Sequence, residues 1–225
     1  MAIFVLVHGA WHGGWCWERV ASRLRDDGHE VLTPTLTGLG ERADELTPKV
    51  GLRTHVEDIV DVLLSEDLEG VELVGHSYAG FVAREAADRE PGRIARITML
   101  DAWAGRDGES VDSRAPKVFS DWVARLTEGD AIAVPPPATV GVTDPADVAW
   151  LEANLTPHPR LTFAEPTRLA GAVDAVPCRA IVCAPGPVPF AQWAAEFGWP
   201  TTRLDTGHDA MVTAPAELAT ELMRR

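Results

Sequence analysis

Hydrophobic and polar positions along the chain alternate between two rhythms. Short apolar runs occur at 3–7, 30–35, 71–75, 94–100, 179–183 and 201–204, each of strand length and bounded by turn-forming residues. Helical spacing fills the intervals. It is clearest over 53–64, where Val56, Ile59, Val60, Leu63 and Leu64 share one face, and it recurs more weakly at 17–27 and 217–223. Strands alternating with helices predict βα units and a mainly parallel sheet flanked by helices.

The rhythm breaks between 102 and 176. No strand is evident there, whereas Pro135-Pro136-Pro137 and two or three helical stretches are. Thr143-Asp144-Pro145 has the form of a helix start, with a capping side chain and proline in the first turn. The expected organisation is a core of 1–101 and 177–225, with 102–176 as a helical insertion capping the carboxyl edge of the sheet. A long proline-rich crossover is the plainer alternative.

Composition narrows the function classes. The 225 residues contain 34 acidic and 20 basic side chains, a formal charge of −14 that repels phosphate backbones and disfavours nucleic acid as a partner. Cys16, Cys178 and Cys183 are too few and too scattered for a disulfide framework or a zinc site. The apolar start Met1-Ala2-Ile3-Phe4-Val5-Leu6-Val7 lacks the basic flank of a signal peptide and reads as a strand. With no run of membrane-spanning length, a cytoplasmic location and no membrane partner are expected. A homodimer stays open.

The chemistry centres on Leu73-Val74-Gly75-His76-Ser77-Tyr78-Ala79-Gly80, an apolar strand, a sharp turn and a helix start. Such a turn lifts a serine hydroxyl above the sheet as a nucleophile elbow. Ala79 stands where the usual pattern has its second glycine, with Gly80 behind it. Serine needs a base, and His208 in Asp205-Thr206-Gly207-His208-Asp209 follows the last strand on a glycine-tightened loop. His29, His55 and His158 lie in polar or surface-like contexts, His8 reads as structural, and the ring of His76 is expected to point away from Ser77. The loop after 179–183 contains no carboxylate, so the acid must come from another strand end or be absent. Asp101, closing the 94–100 run, is the candidate, with a turn-capping aspartate as its other reading. Asp205 and Asp209 are too close to His208 in sequence to orient its ring easily.

Stabilising a tetrahedral oxyanion takes two inward backbone amides. Tyr78, directly after the serine, and Ala10, in the glycine-rich loop Val7-His8-Gly9-Ala10-Trp11-His12-Gly13-Gly14-Trp15, are the expected donors. That loop lacks the glycine order or lysine of a phosphate site, and His8 and His12 lack nearby carboxylate or thiolate partners for a metal. Trp11 and Trp103 follow strand ends and, with Gly9, are expected to face the substrate. Trp122 and Trp150 are read as packing within the insertion.

Together these motifs resemble the α/β-hydrolase superfamily. The segment from Phe4 to Trp17, Thr33-Pro34-Thr35-Leu36-Thr37-Gly38-Leu39-Gly40-Glu41-Arg42, residues 75–80 and Gly207-His208-Asp209-Ala210-Met211 are similar to the plant methylesterase and hydroxynitrile lyase branch and its bacterial esterase relatives. The resemblance covers both ends of the chain well and the insertion poorly. It implies an α/β-hydrolase fold and cofactor-free, serine-dependent hydrolysis of small apolar or aromatic esters, with Ser77 as nucleophile, His208 as base, and Ala10 and Tyr78 as oxyanion donors. The plant branch places its acid where this chain has Gly186, whereas some haloalkane dehalogenases carry theirs after the strand that follows the nucleophile, like Met99-Leu100-Asp101-Ala102. Hydroxynitrile lyases of this branch have a threonine and a lysine where this chain has Gly9 and Asp209, so the resemblance favours hydrolysis. A non-hydrolytic lyase or tailoring enzyme, and an inactive small-molecule-binding protein on the same scaffold, are the alternatives.

Overall fold

A computed structural model describes residues 1–183, 186 and 188–224; part of the loop without a carboxylate (184, 185 and 187) lies outside the described residues. Six strands form the main sheet: β1 Ile3–Val7, β2 Glu30–Leu32, β3 Val71–His76, β4 Ile94–Leu100, and, after three two-residue strands described below, β8 Cys178–Val182 and β9 Thr201–Arg203. Their order is β2-β1-β3-β4-β8-β9, and every pairing is parallel. Val5 and Val7 pack with Leu73 and Ile97 on one face, while Phe4 and Leu6 pack with Val74 and Leu100 on the other. Both faces are thus covered, as an all-parallel sheet requires.

The first face is covered by α2 (Leu52–Ser65), α3 (Ala79–Arg89) and α8 (Phe190–Glu196), the second by α1 (Glu18–Asp26) and the carboxyl-terminal pair α9 (Ala210–Thr213) and α10 (Pro215–Leu222). Helix α2 buries Val56, Ile59, Val60 and Leu63 as its spacing predicts, but Leu64 is 45 % exposed. β2 stops at Leu32, short of the expected 35. Pro34 has no N–H for a ladder, and Thr35 Oγ1 accepts from the Gly14 amide instead (2.8 Å). β8 is shifted one residue from 179–183, which frees the Cys183 amide for the site.

Residues 102–176 carry α4 (Val111–Arg114), α5 (Lys117–Leu126), α6 (Pro145–Asn154) and α7 (Leu161–Ala164). Asp144 caps α6 through the Ala146 and Asp147 amides, as its sequence predicts. The expectation of no strand fails. A small antiparallel sheet joins β5 (Thr127–Glu128), β6 (Ala131–Ile132) and β7 (His158–Pro159). Two-residue strands are too short to show a period. The segment 167–173 is fastened to α3, where Glu85 accepts from Thr167 and Arg168, and Asp88 from the amides of Ala170, Gly171 and Val173.

The elbow between β3 and α3 explains the shifted glycine pattern. A side-chain carbon on Gly80 would lie 2.1 Å from the Trp103 carbonyl oxygen, and one on Gly75 2.6 Å from that of Ala79. The close approaches fall at Gly75 and Gly80, so the methyl group of Ala79 is accommodated. Gly80→Ala is expected to destabilise the fold by about 3 kcal/mol through backbone overpacking. Ala79→Gly, which restores the usual pattern, costs up to about 1 kcal/mol in helix propensity. Urea unfolding midpoints of the two variants check this ordering, and a Gly80→Ala protein as stable as the parent overturns it.

Candidate active site

The carboxyl ends of β1, β3 and β4 meet at one cavity, and each is followed by a residue with unusual backbone geometry. Among the described residues, four non-glycine residues have positive φ; three of them are Trp11 (66°), Ser77 (51°) and Asp101 (41°). Such conformations cost about 1–3 kcal/mol each and persist where their surroundings hold them. All three residues line a cavity of about 510 Å³, together with Ala10, Trp103 and His208.

Ser77 sits at the apex of the elbow. Its amide donates to Leu100 O (3.1 Å), and its carbonyl accepts from Trp103 N (2.9 Å), tying the turn to the end of β4. Asp101 is gripped more firmly. Its amide donates to Ile181 O (2.7 Å), its Oδ1 accepts from Cys183 N (3.0 Å), and its Oδ2 accepts from His208 Nδ1 (2.7 Å). The proton of His208 is thereby fixed on Nδ1, leaving the Nε2 lone pair free to act. Phe190 stacks on the His208 ring at 5.3 Å and 7°. Burial alone would lower the pKa of His208, but the hydrogen bond and charge of Asp101, helped by Asp209, raise it above its ordinary value of 6.5.

The loop after β1 supplies the amide of Ala10. His8 Nε2 accepts from Leu36 N (3.0 Å), so its Nδ1 carries the proton and donates to Gly9 O (2.8 Å). That contact holds the Gly9–Ala10 peptide by its carbonyl, and in a trans peptide the Ala10 N–H points the opposite way. Burial lowers the pKa of His8 to about 3, keeping the ring neutral. Among the described residues, neither Ala10 N nor Tyr78 N is spent on a backbone partner. Gly9, expected to face the substrate, does not line the cavity. It is wedged beneath it, where an added carbon would lie 2.8 Å from His76 Nδ1 and 3.0 Å from Ser77 Cβ.

Trp11 is held from three sides by 102–176. Its amide donates to His158 Nδ1 (3.4 Å), its carbonyl accepts from Thr156 N (3.0 Å), and its indole donates to Ile132 O (3.1 Å). His55 and His158 are therefore not surface residues. Both are fully buried, with His55 Nδ1 accepting from the Tyr78 hydroxyl (3.1 Å) and His158 Nε2 donating to Thr162 Oγ1 (2.7 Å). Four further aromatic side chains line the cavity, and spacing along the chain does not reveal them. Phe119 and Trp122 of α5 reach the cavity, as do Phe163 and Phe190, with Arg125 among the lining residues. Trp122, expected to be mere packing, forms part of that wall, whereas Trp150 packs edge-on against Trp15 (5.1 Å) away from it. Gly186 lines the cavity with no acid to offer.

His12 has a carboxylate partner after all, Asp209 Oδ2 at 3.1 Å. His76, His208 and Asp209 each bring a ligand-type atom within 4.8 Å of the others. However, His208 Nδ1 is committed to Asp101, and His76 Nε2 donates to His208 O (3.1 Å). The set serves internal hydrogen bonds. No helix of the described residues is long and apolar enough to cross a membrane.

This architecture has clear relatives. The model of the alpha/beta hydrolase family matches residues 4–221. A carbendazim hydrolyzing esterase from a Nocardioides species is 39 % identical over 99 % of this chain and 98 % of its own. Methylesterase 10 of Arabidopsis thaliana is 33 % identical over 57 % of this chain and 46 % of its own length. Among solved structures, an extracellular alpha/beta-hydrolase from a Paenibacillus species superposes with a TM-score of 0.88 at 26 % identity, covering 99 % of this chain and 98 % of that one. The chain therefore belongs to the alpha/beta hydrolase family and is a hydrolase of the esterase kind.

Proposed function

We propose that the protein hydrolyses small apolar or aromatic carboxylic esters through an acyl-enzyme on Ser77. The observation that carries this reading is the Asp101–His208 hydrogen bond of 2.7 Å at the wall of the aromatic cavity into which Ser77 is turned. His208 Nε2 takes the hydroxyl proton as Ser77 Oγ attacks the acyl carbon, and Asp101 stabilises the resulting imidazolium. The negative charge that develops on the acyl oxygen is met by the amides of Ala10 and Tyr78. His208 then protonates the departing alcohol, and a water, activated by the same nitrogen, releases the acid. Trp11, Trp103, Phe119 and Trp122 offer flat apolar surface to the acyl or alcohol group. Asp209, at the position where lyase relatives carry a lysine, is buried against His12 rather than presented to the cavity, which supports hydrolysis over cyanohydrin cleavage.

Ser77→Ala is expected to abolish turnover of p-nitrophenyl and aromatic methyl esters, and also labelling by a fluorophosphonate. A variant with parental turnover refutes the acyl-enzyme. Carbendazim, acted on by the Nocardioides relative, belongs in the same substrate panel. Asp101→Asn leaves the volume unchanged but presents an amide to His208 Nδ1 and favours the wrong tautomer. The kcat should fall by about 10³–10⁴-fold, and a near-parental rate assigns the acid elsewhere.

The pH profile follows from the raised pKa of His208, which must be neutral to act as base. Activity should be full above that pKa and fall as pH drops through it. The acid limb of kcat/KM is therefore expected above pH 6.5. The groups facing His208 are Asp101, Asp209, His76 and His12, of which the carboxylates raise its pKa and His12 lowers it. An acid limb below 6.5 contradicts the assignment of His208 as the base held by Asp101.

A further inference from the structure

Ala10 is flanked by two pinned peptides. His8 holds the carbonyl on its amino side, and His12 Nδ1 donates to its own carbonyl oxygen at 2.7 Å. The second contact bears directly on the strained residue that follows, because the Ala10–Trp11 peptide sets the φ of 66° at Trp11. His12 does not stop there. Its Nε2 faces Asp209 Oδ2 at 3.1 Å, and Asp209 is the neighbour of His208. A carbonyl oxygen and a carboxylate are both acceptors, so both ring nitrogens donate and His12 is an imidazolium paired with the Asp209 carboxylate.

The pair lies in the interior, with side-chain exposures of 4 % and 0 %. Burial opposes the charge on each partner, yet the pairing outweighs it, raising the pKa of His12 and lowering that of Asp209. Trp15 stacks on the His12 ring at 5.6 Å, and His76 stands edge-on at 6.3 Å. His76, adjacent to Ser77, donates from Nε2 to His208 O at 3.1 Å. The loops bearing Ala10, Ser77 and His208 are thus laced together beneath the cavity by groups that the hydrolytic steps do not use.

We propose that His12, anchored by Asp209, is a positioning residue that holds the Ala10 carbonyl and so, with His8 on the other side of the residue, keeps the Ala10 N–H in the orientation needed to receive the oxyanion. This rests on the assignment of Ala10 as an oxyanion donor. A structural role alone would lower stability and leave the bound transition state no weaker relative to substrate. Positioning acts on kcat, because the amide strengthens its bond only as charge develops on the acyl oxygen.

The test compares the parent with His12→Gln, His12→Asn and Asp209→Asn, using an aromatic methyl ester and an aryl trifluoromethyl ketone that forms a charged tetrahedral adduct on the serine. In His12→Gln the amide reaches towards Asp209 and leaves Ala10 O without its donor. The kcat should fall about 10–100-fold with KM within about twofold, and ketone affinity should fall in parallel. His12→Asn places a donor near the Nδ1 position and should recover part of the loss. Asp209→Asn, which keeps the shape, removes the charge that holds His12 protonated and should lower kcat and ketone affinity together, so the idea remains testable if His12→Gln does not fold. Unchanged kcat and ketone affinity in a folded variant, or a change in KM alone, overturns the proposal. Ser77→Ala in the same assay separates the two readings. If it retains turnover, the serine mechanism itself fails; if it is inactive while His12→Gln is parental, only the role of His12 is lost.

Discussion

The hydrogen bond between Asp101 and His208 joins residues 107 positions apart, and most of the architecture can be read as what that bond requires. β4 must lie beside β8 so that the Ile181 carbonyl and Cys183 amide can hold the aspartate from the neighbouring strand. Asp101 must accept a left-handed backbone so that its side chain turns back over the sheet edge. The loop after β9 must come down against the elbow, where His76 Nε2 donates to the carbonyl of His208. A parallel sheet supplies all of this at one edge, since every strand delivers its carboxyl end to the same side.

Behind that edge the interior is unusually polar for a protein whose sheet faces are so apolar. His8, His12, His55, His76 and His158 are all buried. Buried polar groups are costly unless paired, and here each ring has a partner that fixes where its protons sit. Two rings clamp the peptides around Ala10, one braces the base loop, and two link Tyr78 and Trp11 to their surroundings. Such networks limit the rearrangements open to a loop, as the role proposed for the Ala10 and Tyr78 amides requires.

Much of this was legible in the sequence, for identifiable reasons. The runs at 3–7 and 94–100 gave strand boundaries that hold to the residue because both end at abrupt changes in polarity. The elbow turn, His208 and Asp101 could be located because each follows a strand end. What escaped detection depends on tertiary contact. His55 and His158 sit among polar neighbours in sequence and are covered only by packing of distant segments. Nothing near Asp209 in sequence points to His12, yet its side chain faces that histidine, 197 positions earlier. The aromatic wall joins Phe119 and Trp122 to Phe163 and Phe190, and no local period links them.

The three-sided hold on Trp11 means that 102–176 is no interchangeable cassette. Its anchors are the Ile132 carbonyl, the Thr156 amide and the His158 ring, two of which are backbone groups indifferent to residue identity. Two of its pocket-facing side chains, Phe119 and Trp122, stand on a separate helix, one turn apart. If the cavity is the substrate site proposed above, divergence in substrate choice can proceed by exchanging residues along α5 while the anchoring backbone stays constant. In the proposed function, the cavity wall on α5 and the anchors of Trp11 occupy different stretches of the same insertion, and can drift at different speeds.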